Sequence, residues 1–279
     1  MKKLYGVIGD PIAHSMSPVM INDLFDLYGI DATYMPFHVS SDGLEAAVNG
    51  LKALGVVGFN VTVPHKTEIM PFLDEIDPMA KAIGAVNTVV NKDGRMIGYN
   101  TDGRGYVRGL KEEISSLTGQ TVLMIGAGGA ARGIYFSMAE AGVERIDICN
   151  RTPSKATELM RTCPFPVKTE VFDIKKAEEL LPQYDLLIQT TLIGMAPKIE
   201  GTPLSLKGLK PDSFVSDIIY NPLETKFLRE ASSAGARTQN GIEMFVYQGA
   251  LAFEIWTGIF PDTERMRENV LKQLGGFSC

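Results

Sequence analysis

The stretch TVLMIGAGGAARGIYFSMAEAG, residues 121–142, decides the fold. An apolar segment typical of a buried strand leads into a glycine turn, and an amphipathic helical pattern follows at once. Gly126, Gly128 and Ala131 match the spacing G-x-G-x-x-G/A, in which the first glycine permits a tight turn and the second lets backbone amides approach a pyrophosphate. The N-terminus of the helix would offer partial positive charge to those phosphates. The stretch therefore predicts a dinucleotide-binding βα unit; a glycine-rich turn without a ligand is the alternative.

The next strand indicates the kind of dinucleotide. The segment RIDICNRTPSKA (145–156) ends in Asn150, Arg151 and Thr152, with Lys155 about one turn later. A carboxylate at this place would bind the free ribose hydroxyls of NAD, whereas a guanidinium with hydroxyl and ammonium neighbours suits a 2′-phosphate. We therefore predict NADP(H) as the cofactor. The alternative is a solvated arginine that begins a helix capped by Thr152.

Outward from this unit, short apolar strands alternate with helical patterns along almost the whole chain. This alternation predicts an α/β protein with parallel sheets flanked by helices, and 279 residues suffice for two domains. Ser17 is a plausible cap of a helix whose first turn contains Pro18. Further helices are expected around 41–54, 67–74, 242–258 and 261–274. The expected strands are LYGVIGD (4–10), TYMPFHV (33–39), VVGFNVTV (56–63), AVNTVV (85–90), TVLMI (121–125), RIDICNR (145–151), PVKTEVF (166–172), DLLIQTT (185–191) and SFVSDII (213–219).

Composition and charge argue against several classes of protein. The net charge of −6 disfavours nucleic-acid binding, which calls for a basic surface, and no apolar run is long enough to cross a membrane. Cys149, Cys163 and Cys279 show no CxxC spacing, and the three histidines form no HExxH pair. Neither a zinc site nor a disulfide framework is expected. We predict a cytoplasmic protein that acts on a small molecule and holds no metal.

The segment GFNVTVPHK (58–66) carries the strongest catalytic signal. Asn60, Thr62 and Lys66 follow or end a buried-type strand, which is where open α/β sheets bind their ligands. A lysine ammonium is suited to donate a proton to a ketone oxygen while hydride arrives at the carbon, and to receive it in the reverse direction. The alternative for a loop lysine is a solvated surface charge.

Other polar residues would complete a site around Lys66. Asn87 follows another apolar segment, and Asp102 lies near a break in sequence character, where its alternative role is to cap the helix that begins near Gly103. In DPIAHSMSP (10–18), Ser15 and Ser17 present two hydroxyls two residues apart, which suits one carboxylate. These residues predict a site between a substrate domain and a cofactor domain.

The chain resembles the shikimate dehydrogenase family over essentially its whole length. The motifs that carry the resemblance are GDPIAHSMSP (9–18), NVTVPHK (60–66), GAVNT (84–88), YNTDGRG (99–105), GAGGAAR (126–132), NRT (150–152), SDIIYNPLET (216–225) and NGIEMFVYQGA (240–250). So many motifs in one order make a chance match very unlikely.

The resemblance implies NADPH-dependent reduction of 3-dehydroshikimate to shikimate, a step towards the aromatic amino acids. It implies a substrate domain of residues 1–102 and 241–279 and a Rossmann-type domain of residues 103–240, with the C-terminal helices returning to the first domain. Lys66 and Asp102 would be the catalytic pair. The implied substrate contacts are Ser15, Ser17, Asn60, Thr62, Lys66, Asn87, Asp102, Tyr220 and Gln248. The implied cofactor contacts are Gly126, Ala127, Gly128, Gly129, Ala130, Asn150, Arg151, Thr152, Lys155, Thr191, Ile218 and Gly241.

One loop departs from the family pattern. The family commonly reads NATPLGM after the fourth strand of the Rossmann domain, whereas this chain reads QTTLIGM at 189–195. That difference bears on cofactor affinity, because the loop lies near the cofactor in the family. Two other functions stay open: a quinate/shikimate dehydrogenase that uses NAD or NADP, and a binding module without catalysis. A monomer and a homodimer are both compatible with the sequence.

Overall fold

The computed structural model describes residues 2–275, so Cys279 lies outside the described residues. The chain divides into two compact units, one of residues 1–101 and 246–279 and the other of residues 102–245. The domain limits at 102 and 241 stay a prediction. The strands are β1 Lys3–Gly9, β2 Ala32–His38, β3 Gly58–Val61, β4 Glu75–Ile76, β5 Thr88–Lys92, β6 Arg95–Tyr99, β7 Thr121–Ile125, β8 Arg145–Cys149, β9 Val171–Phe172, β10 Leu186–Gln189, β11 Phe214–Asp217 and β12 Arg237–Gln239. The helices are α1 Ser17–Leu27, α2 Leu44–Ala53, α3 Pro78–Ile83, α4 Asp102–Glu113, α5 Gly129–Glu140, α6 Pro153–Thr162, α7 Ile174–Leu180, α8 Lys226–Ser233, α9 Ile242–Thr257 and α10 Thr263–Gln273.

The first unit contains a six-stranded sheet in the order β2-β1-β3-β5-β6-β4. The alternating pattern predicts that all of its strands are parallel. The structure differs, because β5 runs antiparallel to both β3 and β6. The reversal between β5 and β6 is a tight turn in which Asp93 and Gly94 have φ of 53° and 83°. Such a turn joins antiparallel strands directly and needs no crossover helix.

Two local predictions in this unit are wrong. Residues 67–74 form turns and a 3₁₀ segment, Met70–Phe72, in place of a helix, and Pro71 lies inside that segment. Helix α1 begins at Ser17 itself and its N-cap position is Met16, which makes no side-chain capping bond. Ser17 therefore does not cap α1, and its hydroxyl takes part in a different contact described below.

The C-terminal helices return to the first unit, as expected: α9 packs on its sheet and α10 packs against α1. Trp256 of α9 lies with its ring centroid 5.4 Å from that of Tyr5, and its Nε1 donates to the Val89 carbonyl at 3.0 Å. Gly58 makes this approach possible, because a Cβ there would lie 2.3 Å from Trp256 Nε1. The contact buries a large aromatic surface, which stabilises the packing of α9 on the sheet.

The second unit is a parallel six-stranded sheet in the order β12-β11-β10-β7-β8-β9. This is the doubly wound order of dinucleotide-binding domains, in which the connections reverse direction between β7 and β10. Its core is built from buried aliphatic and aromatic residues such as Leu123, Leu187, Val215 and Phe227. The predicted α/β class with a Rossmann-type second domain is confirmed.

Two properties of the described residues bear on other classes of protein. Within residues 2–275, none of the helices combines the length and the apolar content that crossing a bilayer requires. Over the same residues, no three or more histidine, cysteine and acidic side chains come together in a way that could hold a metal ion.

Candidate active site

The carboxyl edge of the first sheet collects residues that are far apart in sequence. Strand β3 ends beside β1, with which it is parallel, and β5 begins at the same edge because it runs antiparallel to β3. Asn60 therefore lies in β3 near its end, Thr62 follows β3, and Asn87 immediately precedes β5. The sheet topology alone brings these three predicted substrate contacts to one edge.

A buried chain of hydrogen bonds connects three of the predicted substrate residues. The hydroxyl of Tyr34, which is 2% exposed, donates to Asn60 Oδ1 at 2.7 Å and also bonds the side chain of Ser17. Asn60 Nδ2 in turn donates to the Asn87 carbonyl and to Thr88 Oγ1, each at 3.1 Å. Burial raises the pKa of Tyr34, so its hydroxyl remains a donor to Asn60.

Asn87 extends the same network towards α9. Its Nδ2 donates to Thr101 Oγ1 at 2.9 Å, and the Thr101 amide donates to Asn87 Oδ1 at 2.8 Å. The Thr101 hydroxyl then donates to the Gln248 carbonyl at 3.0 Å. At the other end, the Ser17 amide donates to Ser15 Oγ at 3.4 Å. The structure thus brings Ser15, Ser17, Asn60, Asn87 and Gln248 into one connected set.

The main chain of Lys66 is held on both sides. Just before it, the His65 amide donates to the Thr62 carbonyl at 3.0 Å, and the fully buried His65 ring bonds the Val39 carbonyl through Nε2 at 2.6 Å. The Lys66 carbonyl accepts from the Val86 amide at 2.7 Å. The side chain of Lys66 is half-buried. An ammonium group at the edge of the sheet is therefore carried on a fixed backbone.

Asp102 and Tyr220 belong to the second unit. Asp102 is the first residue of α4, where the helix dipole favours a negative charge. Tyr220 follows β11 and is half-buried, and its ring centroid lies 5.2 Å from that of Phe245. Burial raises the pKa of the Tyr220 phenol, which keeps it protonated and able to donate a hydrogen bond.

The glycine turn lies at the point where the second sheet reverses its connections. Gly126 follows β7 with φ of 114°, and a Cβ there would lie 2.6 Å from Thr190 Oγ1, so the position requires glycine. Gly128 is the N-cap of α5 and Gly129 its first residue; both are exposed, and a Cβ at either would meet no atom within 4 Å. The first amides of a helix have no intrahelical acceptor. This open turn, with Ala127 and Ala130 beside its glycines, fits a dinucleotide pyrophosphate.

A second polar cluster follows β8. Asn150 Nδ2 donates to the Thr152 carbonyl at 2.8 Å, and the Lys155 amide donates to the same carbonyl at 3.1 Å. Arg151, Thr152 and Lys155 are exposed. Thr152 occupies the N-cap position of α6 but makes no side-chain capping bond. The cluster presents two cations and a hydroxyl, which fits a phosphate on the adenosine ribose.

The remaining predicted cofactor contacts lie on two loops. Thr191 follows β10 and Ile218 follows β11. Gly241 approaches the second loop very closely: its amide donates to the Ile219 carbonyl at 2.9 Å, and a Cβ on it would lie 2.0 Å from the Ile218 carbonyl oxygen. Gly241 is thus required by packing within the second unit.

Asp217 is a fully buried carboxyl group at the end of β11. Its Oδ1 accepts from the Ile219 amide at 3.0 Å and its Oδ2 from Thr225 Oγ1 at 2.8 Å. Desolvation by burial outweighs these bonds and raises the pKa of Asp217 from 3.8 to about 6.

We expect this carboxyl group to make stability depend on pH. Because its pKa is higher in the folded than in the unfolded protein, the folded state holds the proton between about pH 4 and pH 6. The free energy of unfolding of the wild type, relative to that of Asp217→Asn, should therefore fall as the pH rises through this window. Urea unfolding of both proteins at several pH values measures it; a constant difference would contradict the assigned pKa.

Several residues of these networks escape prediction from the sequence. Tyr34, Thr88 and Gln189 are buried polar residues, and each is paired with a residue that is remote in sequence or follows in a loop. Motifs give a partial signal for three of these residues: Thr101 lies next to Asp102 in YNTDGRG, Thr88 lies next to Asn87 in GAVNT, and Gln189 begins the atypical QTTLIGM.

Most of the chain matches models of known protein families. Residues 7–89 match the model of the shikimate dehydrogenase substrate binding domain. Residues 109–196 match the model named shikimate / quinate 5-dehydrogenase, and residues 241–271 match the shikimate 5′-dehydrogenase C-terminal domain.

Individual proteins give the same result. The chain is 59% identical over 278 residues to the shikimate dehydrogenase (NADP(+)) of Bacillus cereus strain AH820, covering 99% of this chain and 100% of that protein. It resembles the crystal structure of Listeria monocytogenes shikimate 5-dehydrogenase in complex with shikimate and NAD, with a TM-score of 0.91, 37% identity and 96% of each chain covered. Quinate dehydrogenase of Corynebacterium glutamicum in complex with NAD is also similar, with a TM-score of 0.90, 30% identity, and 97% of this chain and 99% of that chain covered.

Proposed function

The chain belongs to the shikimate dehydrogenase family, and on that premise we propose that Lys66 and Asp102 are its catalytic pair. The protein is an NADP-dependent oxidoreductase that interconverts 3-dehydroshikimate and shikimate, a reaction on the route to the aromatic amino acids. The observation that carries the site assignment is the buried network linking Ser17, Asn60 and Asn87 at the sheet edge where Lys66 follows β3.

Substrate binding is assigned to the first sheet and its neighbours. Ser15 and Ser17 bind the carboxylate of the substrate, which fixes one end of the ring. Asn60, Thr62, Asn87 and Gln248 surround the ring hydroxyls, because amide and hydroxyl groups both donate and accept. Tyr220 completes the substrate contacts. The network around Asn60 and Asn87 supports this assignment, since fixed amides hold a substrate in one orientation.

Proton transfer is assigned to Lys66 and Asp102. During reduction, Lys66 donates a proton to the carbonyl oxygen, and in the reverse direction it accepts the proton of the shikimate hydroxyl. Asp102 orients the ammonium group and shares the proton with it. NADPH, when bound, supplies the hydride.

Cofactor binding is assigned to the carboxyl edge of the second sheet. Gly126, Ala127, Gly128, Gly129 and Ala130 receive the pyrophosphate. Asn150, Arg151, Thr152 and Lys155 bind the ribose 2′-phosphate, and Thr191, Ile218 and Gly241 line the nicotinamide half. The open turn before α5 and the exposed cations after β8 support these assignments.

Steady-state kinetics test the function directly. We expect NADPH absorbance to rise when shikimate and NADP⁺ are mixed with the protein, and kcat/KM for this pair to exceed that for quinate with NAD⁺. A larger value for quinate with NAD⁺ would identify a quinate dehydrogenase like its Corynebacterium relative. Tight NADPH binding without turnover of either substrate would indicate a binding module without catalysis.

Two further properties belong to the proposal. We assign the protein to the cytoplasm, with support from Cys149 and Cys163, which are free thiols. We also propose that it functions as a monomer or a homodimer.

A further inference from the structure

Gln189 ends β10 at the point where the second sheet reverses its connections, and its side chain is fully buried. Its amide group bonds the loop that follows at two places. Gln189 Oε1 accepts from the Thr191 amide, and Nε2 donates to the Thr191 carbonyl at 3.2 Å and to the Ile193 carbonyl at 3.1 Å. One side chain thus holds the beginning and the middle of this loop together.

Gln189 also reaches the neighbouring loop after β11. Its backbone carbonyl accepts from the Ile218 amide at 3.1 Å, and its Nε2 lies 3.4 Å from Asp217 Oδ1. Asp217 in turn accepts from the Ile219 amide at 3.0 Å. The contacts fix the orientation of the Gln189 amide, because the opposite orientation would place its oxygen against two carbonyls and a carboxyl group.

The glycine turn is joined to the same assembly. Thr190, next to Gln189, donates through Oγ1 to the Ile125 carbonyl at 2.7 Å and lies against Gly126. Three of the loops that carry proposed cofactor contacts, those after β7, β10 and β11, therefore meet around one buried glutamine.

We propose that Gln189 is a positioning residue whose side chain holds Thr191 directly, and Ile218 through the neighbouring Asp217, in place for the nicotinamide dinucleotide. This inference rests on the proposed function, since it takes these two residues as cofactor contacts. Gln189 itself acts through its neighbours. Loss of its donors removes the bonds to the Thr191 and Ile193 carbonyls, so the loop moves away from the position that binds the cofactor.

The first test uses Gln189→Met, which keeps the length of the side chain and removes its donors and acceptor. We expect the Kd for NADPH, measured by fluorescence titration, and the KM for NADP⁺ to rise about 10-fold. The KM for shikimate at saturating NADP⁺ should stay within about twofold, because the proposed substrate contacts in the first unit are not moved.

Gln239→Met is the matched control. Gln239 is also a buried glutamine that ends a strand of the same sheet, and its Nε2 donates to the Gly109 carbonyl at 3.0 Å. The control should lower the Tm as Gln189→Met does, yet leave the NADPH Kd within about twofold. If Gln189→Met also left the NADPH Kd within twofold, the residue would be merely structural and the proposal would be wrong.

Gln189→Glu provides a second test, which can be used even if Gln189→Met folds poorly. Its carboxylate lacks both donors and faces Asp217, whereas protonation restores one donor. The NADPH Kd of this variant, divided by that of the wild type, should fall as the pH is lowered from 8 to 6. A ratio near one, or a ratio independent of pH, would overturn the proposal.

A failure of the proposed function would give a different result from a failure of the proposal about Gln189. A wild-type protein that binds NADPH but does not oxidise shikimate would refute the function, while the binding measurements would still decide the role of Gln189.

Discussion

Replacing Lys66 by methionine should lower kcat by about 10²- to 10⁴-fold, the range typical of losing a general acid–base group. The backbone of Lys66 is held by hydrogen bonds at the turn before it and at its own carbonyl, so the substitution removes the ammonium group and little else. Since the substrate is held mainly by other residues, the KM for shikimate should change much less. Steady-state assays in both directions measure the effect.

Lys81→Met is the control for this experiment. Lys81 is an exposed lysine of α3 in the same unit, and its replacement should leave kcat unchanged. A Lys66→Met enzyme that keeps wild-type kcat would remove Lys66 from the mechanism, whatever the fate of Asp102.

Replacing Arg151 by alanine should weaken NADPH binding by about 10- to 100-fold, which corresponds to the loss of a charged hydrogen bond. NADH lacks the 2′-phosphate, so its Kd should change by less than about threefold. The variant therefore loses cofactor preference together with affinity. Fluorescence titrations with both dinucleotides separate the two effects.

Arg161→Ala is the matched control, because Arg161 is an exposed arginine in the last turn of α6, the helix that begins beside Arg151. It should leave both Kd values unchanged. Equal losses for NADPH and NADH in Arg151→Ala would place the guanidinium away from the 2′-phosphate.

The dinucleotide domain could be predicted well because its information is local. The strand, the glycine turn and the helix around Gly126 follow one another within 20 or so residues, and each step has its own residue requirements. The alternating pattern does not predict the hairpin of β5 and β6, although the Asp93–Gly94 pair is a recognised turn signal. The general alternation of strands and helices favours parallel strands in this part of the chain, and that prediction overrides the turn signal. Residue type allows Ser17 either to cap α1 or to bind a carboxylate, and the structure excludes the first role and pairs its hydroxyl with Tyr34.

The buried residues that orient the site residues could not be predicted in the same way. Tyr34 meets Asn60, and Thr101 meets Asn87, only after strands from distant parts of the chain have paired. Gln189 looked like a departure from the family pattern, and only its three-dimensional contacts indicate what its longer side chain bonds. Residue type and motif spacing identify groups that do chemistry, but they do not identify the buried partners that orient those groups.

Trp256, which packs against Gly58 and Tyr5, is the single tryptophan of the sequence. Its indole is consequently an optical probe of the first unit alone, since the second unit has no such chromophore. Denaturation followed by tryptophan emission reports the loss of this aromatic packing, while far-ultraviolet circular dichroism reports both units. Comparison of the two signals tells whether a substitution such as Gln189→Met loosens only the part of the molecule in which it lies.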